Sequence, residues 1–159
     1  MVKKARFIVE GQIAENRRAR FDYSIGATLE AGLALSGDEV KSLREGRASI
    51  GDGFAEPDAE GFVLKNVHIG AYEKADGFKV KDERRPRRLL LHAHEIRKLF
   101  SDYSRERATI VPLKLYFNKR GLAKILLGLG QGKNKFDKRE TIKRREWDRE
   151  KRRIMKLTK

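Results

Sequence analysis

A mainly β fold with short helices is predicted by three features of this 159-residue chain. Short apolar runs alternate with polar residues at the two-residue period of a strand, turn residues separate the runs, and only two stretches follow a helical period. Several short strands with two helices inside residues 1–132 point to a small closed antiparallel β-barrel of the OB type. Residues 133–159 form a basic C-terminal tail. Thirteen Lys and Arg against five Asp and Glu give it +8 of the chain's net charge of +15.

Over 7–35, Phe7-Ile8-Val9 and then Phe21, Tyr23 and Ile25 carry a β-like pattern. Leu29, Ala31, Leu33 and Leu35 fall on one face of a strand, with Glu30 on the other. Ser36-Gly37-Asp38 reads as a turn and helix start. Ser36 with Glu39 makes a capping box, and Gly46 stops a helix over 38–45. Val40 and Leu43 are its expected buried stripe; Lys41, Arg44 and Arg47 are expected in solvent. Short strands follow over 50–56 and, after a Pro57-Asp58 turn, over 61–72. Residues 74–88 read as an exposed loop ending in Arg84-Arg85-Pro86-Arg87-Arg88.

Beyond the apolar Leu89-Leu90-Leu91, an amphipathic helix is expected over 94–103, with Ile96, Leu99, Phe100 and Tyr103 inward. Thr109, Val111, Leu113, Leu115 and Phe117 then alternate with Ile110, Pro112, Lys114 and Tyr116 as a strand. Asn118-Lys119-Arg120-Gly121 turns it back into a partner over 122–129. Gly128, Gly130 and Gly132 are expected to loosen the chain ahead of the tail. The tail's sizeable apolar residues are Phe136, Ile142, Trp147, Ile154, Met155 and Leu157. They bury too little to offset its ordering entropy, so the tail is expected to be disordered when free and helical against a polyanion. On a helical wheel Trp147, Ile154 and Leu157 fall within about a third of the circumference, with Trp147 anchoring that face.

An apolar fraction of 39% beside a charged fraction of 38% fits one modest core plus an appendage. The excess of cations makes nucleic acid the expected partner. No apolar run is long enough for a membrane span, residues 1–6 lack a signal-peptide core, and no cysteine is present. A cytoplasmic monomer with no membrane partner and no cofactor is expected. His92-x-His94 near Glu95 offers half a metal site, without a third ligand. Gly128-Leu129-Gly130-Gln131-Gly132-Lys133 lacks the leading glycine of a phosphate loop, and Asn134 stands where Ser or Thr would hold magnesium. It reads as a glycine hinge. No Gly-x-Ser-x-Gly elbow occurs. No catalytic residue and no metal ligand is therefore assigned, and an enzyme is not expected.

The basic clusters carry more. Asn16-Arg17-Arg18-Ala19-Arg20 precedes a strand, Lys41, Arg44 and Arg47 share a helix face, and Arg84–Arg88 closes a loop. Together they could line one phosphate-binding surface, with Tyr23 or another exposed aromatic stacking on an unpaired base. The bland alternative is charge kept for solubility, which acidic residues would serve as well.

At these residues the chain resembles the small protein B family of bacterial tmRNA-binding proteins, also called SsrA-binding proteins. Asn16-Arg17-Arg18-Ala19-Arg20-Phe21-Asp22-Tyr23 resembles the family's N-K/R-x-A-R-x-x-Y opening. Glu30-Ala31-Gly32-Leu33-Ala34-Leu35 and Gly37-Asp38-Glu39-Val40-Lys41-Ser42-Leu43-Arg44 resemble its E-A-G-x-x-L and G-x-E-V-K-S-L/I-R blocks, and Arg88-Leu89-Leu90-Leu91 its R-K-L-L-L block. Gly132-Lys133, Asp137-Lys138-Arg139, Arg145-Glu146-Trp147 and Arg153-Ile154-Met155-Lys156 resemble its tail.

The resemblance implies an OB-like barrel that binds the tRNA-like domain of tmRNA and enters the empty A site of a stalled ribosome. The tail would fold in the vacant mRNA channel, and translation would switch to a frame encoding a degradation tag. Alanyl-tRNA synthetase and elongation factor Tu are implied as indirect partners. Asn16, Glu30, Leu90 and Lys124 match the family's tmRNA-binding face, to which the basic clusters add Arg17, Arg20, Tyr23, Lys41, Arg44, Arg87, Arg88 and Lys133. Asp137, Lys138 and Arg139 match the motif that engages the decoding centre, and Phe136, Arg145, Trp147, Arg153, Ile154 and Met155 complete the ribosome-binding set. Phe136 stands where the family usually has His or Tyr, Leu126 replaces a frequent Lys, and Gln131 and Asn134 dilute the lysines around Gly132-Lys133. The rival readings are a general structured-RNA-binding or ribosome-assembly protein, and a metal-dependent nuclease.

Overall fold

The computed structural model describes residues 7–73 and 82–157. Among these residues the elements are β1 (Gly11–Glu15), α1 (Ala19–Asp22), β2 (Tyr23–Leu33), α2 (Gly37–Arg44), β3 (Ala48–Ser49), β4 (Phe54–Asp58), β5 (Gly61–Lys65), β6 (His68–Ile69), β7 (Arg87–Leu90), α3 (Ala93–Glu106), β8 (Thr109–Phe117), β9 (Ala123–Gly132) and α4 (Lys135–Leu157). The fold is mainly β sheet with several short helices. Seven strands form one antiparallel sheet in the order β1-β8-β4-β5-β7-β2-β9, and β8 pairs with β9 as well. β3 and β6 make a separate pair. The expectations for residues 1–6 and for 74–81 of the loop lie outside the described residues.

The long strands form where the alternation is strongest, and bulges reset its phase. On β2, Leu29, Ala31 and Leu33 point to the core as predicted. A register shift between Ile25 and Thr28 turns Ile25 to the outer side, where Tyr23 joins it. β8 departs from the single face predicted for it. A shift between Pro112 and Lys114 sends Ile110, Leu115 and Phe117 to the main core and leaves Val111 and Leu113 in a second, outer cluster with Ala19. One extra residue in the ladder exchanges the faces on either side of it.

Other expectations are corrected. Phe7-Ile8-Val9 is not a strand; pairing with β8 begins at Gly11, and Phe7 and Val9 lie exposed. Of the strand placed over 50–56 only 54–56 is strand, as the start of β4; residues 50–53 are not strand, and Pro57 and Asp58 belong to β4, so the turn falls two residues later. The strand over 61–72 breaks at Asn66, whose φ of 58° no strand tolerates but Asn adopts readily. Its amide donates to the Asp52 carbonyl at 3.1 Å. On α3, Leu99 is buried and Tyr103 meets Phe62 edge-on at 6.4 Å, but Phe100 is half exposed. The helix packs through a narrower stripe than its pattern allowed.

The capping box forms: the Glu39 amide donates to Ser36 Oγ, and the Ser36 amide to Glu39 Oε1, each at 3.3 Å. Leu43 is fully buried and Val40 half buried, but Glu39 and Ser42 are buried as well. Their partners explain it. Ser42 Oγ donates to the Gly70 carbonyl at 2.5 Å, and Glu39 pairs with Arg85 and Arg87. Arg87 therefore leaves the exposed loop in which the sequence placed it. It opens β7 at 1% exposure and donates to Glu39, to the Val67 carbonyl at 2.7 Å and to the Glu83 carbonyl at 3.0 Å. A guanidinium can be buried only when its donors are met in this way. Burial alone would raise the Glu39 pKa, but hydrogen bonds from Arg87 and Arg85, the Arg87 charge and the Ser36 amide together hold it below the ordinary glutamate value.

Candidate nucleic-acid interface

The register across the sheet brings distant residues into one row. Leu90 on β7 faces Gly32 on β2, Gly32 faces Lys124 on β9, Lys124 faces Tyr116 on β8, and Tyr116 faces Gln12 on β1. At the spacing of neighbouring strands this row runs about 19 Å along the outer face. Glu30 lies two residues before Gly32 on the same face, opposite Leu126, which in turn faces Lys114. Gly32 lets Leu90 lie across the strand: a Cβ there would sit 3.1 Å from Leu90 Cβ. Leu90 remains 53% exposed, an apolar side chain one strand from Glu30 on β2 and two from Lys124 on β9. Glu30, Leu90 and Lys124 are thus brought together. Tyr116 joins them, its hydroxyl donating to Glu30 Oε2. The sequence placed Tyr116 away from the inner face but gave it no role.

Other predicted residues serve the fold. Asn16 is buried; its amide donates to the Pro112 carbonyl at 3.0 Å, and its Oδ1 accepts the Ala19 amide at 3.1 Å, so it starts α1. Tyr23 is half buried in the outer cluster rather than free to stack. Arg44, expected in solvent, lies 4.7 Å from the Phe117 ring and 5.7 Å from the Phe7 ring, and donates to the Ile8 carbonyl. Arg17, Arg20, Lys41 and Arg88 are exposed; Lys41 sits 5.4 Å over the Tyr72 ring, and Arg88 pairs with Glu60. The clusters therefore divide between surface and framework.

The histidines are also accounted for. His68 Nε2 meets Glu83 at 2.5 Å, and that hydrogen bond, helped by the Ala71 amide, lowers the Glu83 pKa. His92 starts α3, where its amide donates to Glu95 at 2.8 Å, and its ring stacks on His94 at 5.7 Å. Among the described residues no group of three His, Cys, Asp or Glu could hold a metal ion. No described helix is long and apolar enough to cross a membrane.

The glycines before the tail are not a loosened hinge. Gly128 and Gly130 lie inside β9, paired on both sides, and a Cβ on Gly130 would come 2.8 Å from Tyr23 Cβ. The chain leaves the sheet only at Lys133, whose amide donates to the Asp22 carbonyl at 2.9 Å and whose Nζ reaches the Arg20 carbonyl and Thr141 Oγ1, each at 3.0 Å. Asn134 Oδ1 accepts the Asp137 amide at 2.9 Å and caps α4. α4 is exposed along its length except at Lys138, Thr141 and the edge of its contact with α1. There Lys138 reaches Asp22 at 3.4 Å and the Phe21 ring at 5.9 Å, and Arg145 lies 5.6 Å from that ring. Phe21 was read only as part of a strand. Phe136, Trp147, Ile154 and Met155 are exposed; Asp137, Arg139 and Arg153 share that exposure.

An open sheet face carrying an apolar side chain, a lysine and an acceptor, with a basic helical arm beside it, defines a nucleic-acid-binding module. The chain belongs to the SmpB protein family, whose model matches residues 13–157. It is 52% identical over 144 residues to the SsrA-binding protein of Methylobacterium sp. (strain 4-46), covering 91% of each chain. It is 50% identical over 149 residues to that of Rhodospirillum rubrum, covering 94% of this chain and 93% of the relative. A solved structure described as "tmRNA-SmpB: a journey to the center of the bacterial ribosome" is 48% identical, with a TM-score of 0.64, covering 80% of this chain and 92% of that one.

Proposed function

We propose that this chain binds the tRNA-like domain of tmRNA through its outer sheet face and delivers it to the A site of stalled ribosomes. The tail probes the vacant mRNA channel, so that the stalled peptide is tagged and the ribosome released. The observation that carries this reading is the meeting of Glu30, Leu90 and Lys124 on one open face in a member of the SmpB family. Such a mixed face can follow RNA shape, sugar edges and unpaired bases without a code of base contacts. Exposed Arg17, Arg20 and Arg88 add phosphate contacts at its margins.

The sheet is read as an OB-like closed barrel, supported by the pairing of β8 with both β4 and β9, which returns the strand order on itself. The body comprises residues 1–132 and the tail residues 133–159. A basic helix with so little packing is marginal in water, so the free tail is read as exchanging between helix and coil. It would become fixed where ribosomal RNA neutralises it and no mRNA fills the path. Asp137, Lys138 and Arg139 in its first turns face the decoding centre on this reading, with exposed Phe136 stacking nearby. No bond-making falls to the chain: alanyl-tRNA synthetase charges tmRNA, elongation factor Tu accompanies it, and the ribosome does the rest. The protein acts as a cytoplasmic monomer without a cofactor.

The test compares the full chain with one ending at Gly132, each titrated with the tRNA-like domain and with an elongator tRNA across a salt series. Both chains are expected to prefer the tRNA-like domain at every salt concentration, and only the full chain should support tagging of stalled peptides. Equal affinities that fall together with salt would overturn the reading in favour of a general polycation.

A further inference from the structure

Tyr116 sits on β8, two strands away from Glu30 on β2, and its hydroxyl spans the intervening β9 to donate to Glu30 Oε2. Lys124 stands in register between Tyr116 and Gly32, and Leu126 stands opposite Glu30. An exposed hydrogen bond of this kind adds little to folding, because water would serve both groups almost as well. Its consequence is directional. An ionised carboxylate offers two oxygens and only accepts. With Oε2 accepting from the phenol, the carboxylate is biased towards one orientation, and Oε1 faces an incoming donor.

A carboxylate on an RNA-binding face is repelled by every phosphate near it. Its presence is favourable only where it meets N–H donors, and the imino and amino edge of an unpaired nucleobase supplies them. We infer that Tyr116 is a specificity-determining residue that fixes the Glu30 carboxylate to receive the donor edge of an unpaired base in the bound RNA. The inference rests on the RNA-binding reading of this face. Lys124 contributes attraction to any RNA, whereas the Tyr116–Glu30 pair contributes discrimination between RNAs.

The decisive variant is Tyr116→Phe in the full chain, which keeps the ring and removes only the hydroxyl. Affinity for the tRNA-like domain is expected to fall roughly tenfold, the scale of one hydrogen bond to a charged group. Affinity for elongator tRNA and the salt dependence of both should stay as they were. Glu30→Ala should produce a similar loss, and adding it to Tyr116→Phe should cost no more than about a further twofold, because the two act as one unit. Unchanged preference in Tyr116→Phe, an equal loss on both RNAs, or full additivity with Glu30→Ala would each overturn the inference. The unaltered chain separates the two levels of failure: if it shows no preference, the functional reading itself falls.

Discussion

The body and the tail use the same residue types for opposite purposes. In the body, Arg87 is almost wholly buried and meets Glu39 and two carbonyls, while Arg44 is laid over two phenyl rings. In α4, the cations lie on an exposed helix that meets α1 through Lys138 and Arg145. Composition counts both alike. The difference teaches that the chain's charge excess overstates the surface its body can offer to RNA and understates what the tail can.

The sharpest way to break this comparison is Arg87→Ala. Its removal takes the donor from Glu39 Oε2 and from the Val67 and Glu83 carbonyls, leaving Arg85 alone on Oε1, and the expected loss is about 3 kcal/mol, read from the denaturant midpoint. Arg153→Ala on the tail should stay within about 0.5 kcal/mol. Similar midpoints for the two variants would show that Arg87 is no more structural than a tail arginine. Acid gives the same contrast without a mutation. The folded-state pKa of Glu39 is depressed, so its contribution is fully present above the unfolded glutamate value and is lost as pH falls through the lower folded value. Arg87→Ala should flatten that acid dependence.

A smaller effect tests where the body ends. At Gly130 an alanine Cβ would come 2.8 Å from Tyr23 Cβ and 2.9 Å from Ile25 Cδ1, whereas at Gly132 nothing lies within 4 Å. Gly130→Ala is expected to cost about 1–3 kcal/mol as an overpacked site. Gly132→Ala should be neutral or slightly stabilising, since it only reduces the freedom of the unfolded chain. If both were neutral, the glycine run would be a flexible hinge after all, and the boundary would move into β9.

Much of the sheet was legible because period-two alternation is strong in β2, β8 and β9, and the capping box around Ser36 was legible because it is local in sequence. What could not be read was non-local. The bulges that exchange faces at Leu113 and before Thr28 depend on pairing between strands far apart in the chain. Arg87 looks like a loop arginine until Glu39, from another element, is placed against it. Of the interface, Glu30, Leu90 and Lys124 came from motif resemblance, and only register showed that they share a face. Tyr116 carried no motif signal, since its role depends on an acceptor 86 residues away in sequence.

The least expected effect lies where the two regions touch. Phe21 on α1 receives Lys138 and Arg145 over its ring, beside the Lys138–Asp22 contact. Exposed cation–π contacts contribute only about 0.5–1 kcal/mol each, too little to fix a helix but enough to bias its direction. Phe21→Ala should therefore leave the denaturant midpoint within about 0.5 kcal/mol of the unaltered chain. Amide exchange in the first turns of α4 should quicken by roughly fivefold, while the sheet stays as protected as before. The asymmetry follows from the packing: Phe21 is not among the side chains of either hydrophobic cluster, whereas the start of α4 leans on this ring and the Asp22 carboxylate beside its Asn134 cap and the Lys133–Thr141 contact. Unchanged exchange in α4 would mean that the capping bond at Asn134 and the Lys133 contacts orient the helix by themselves. The two regions would then be joined by backbone geometry alone.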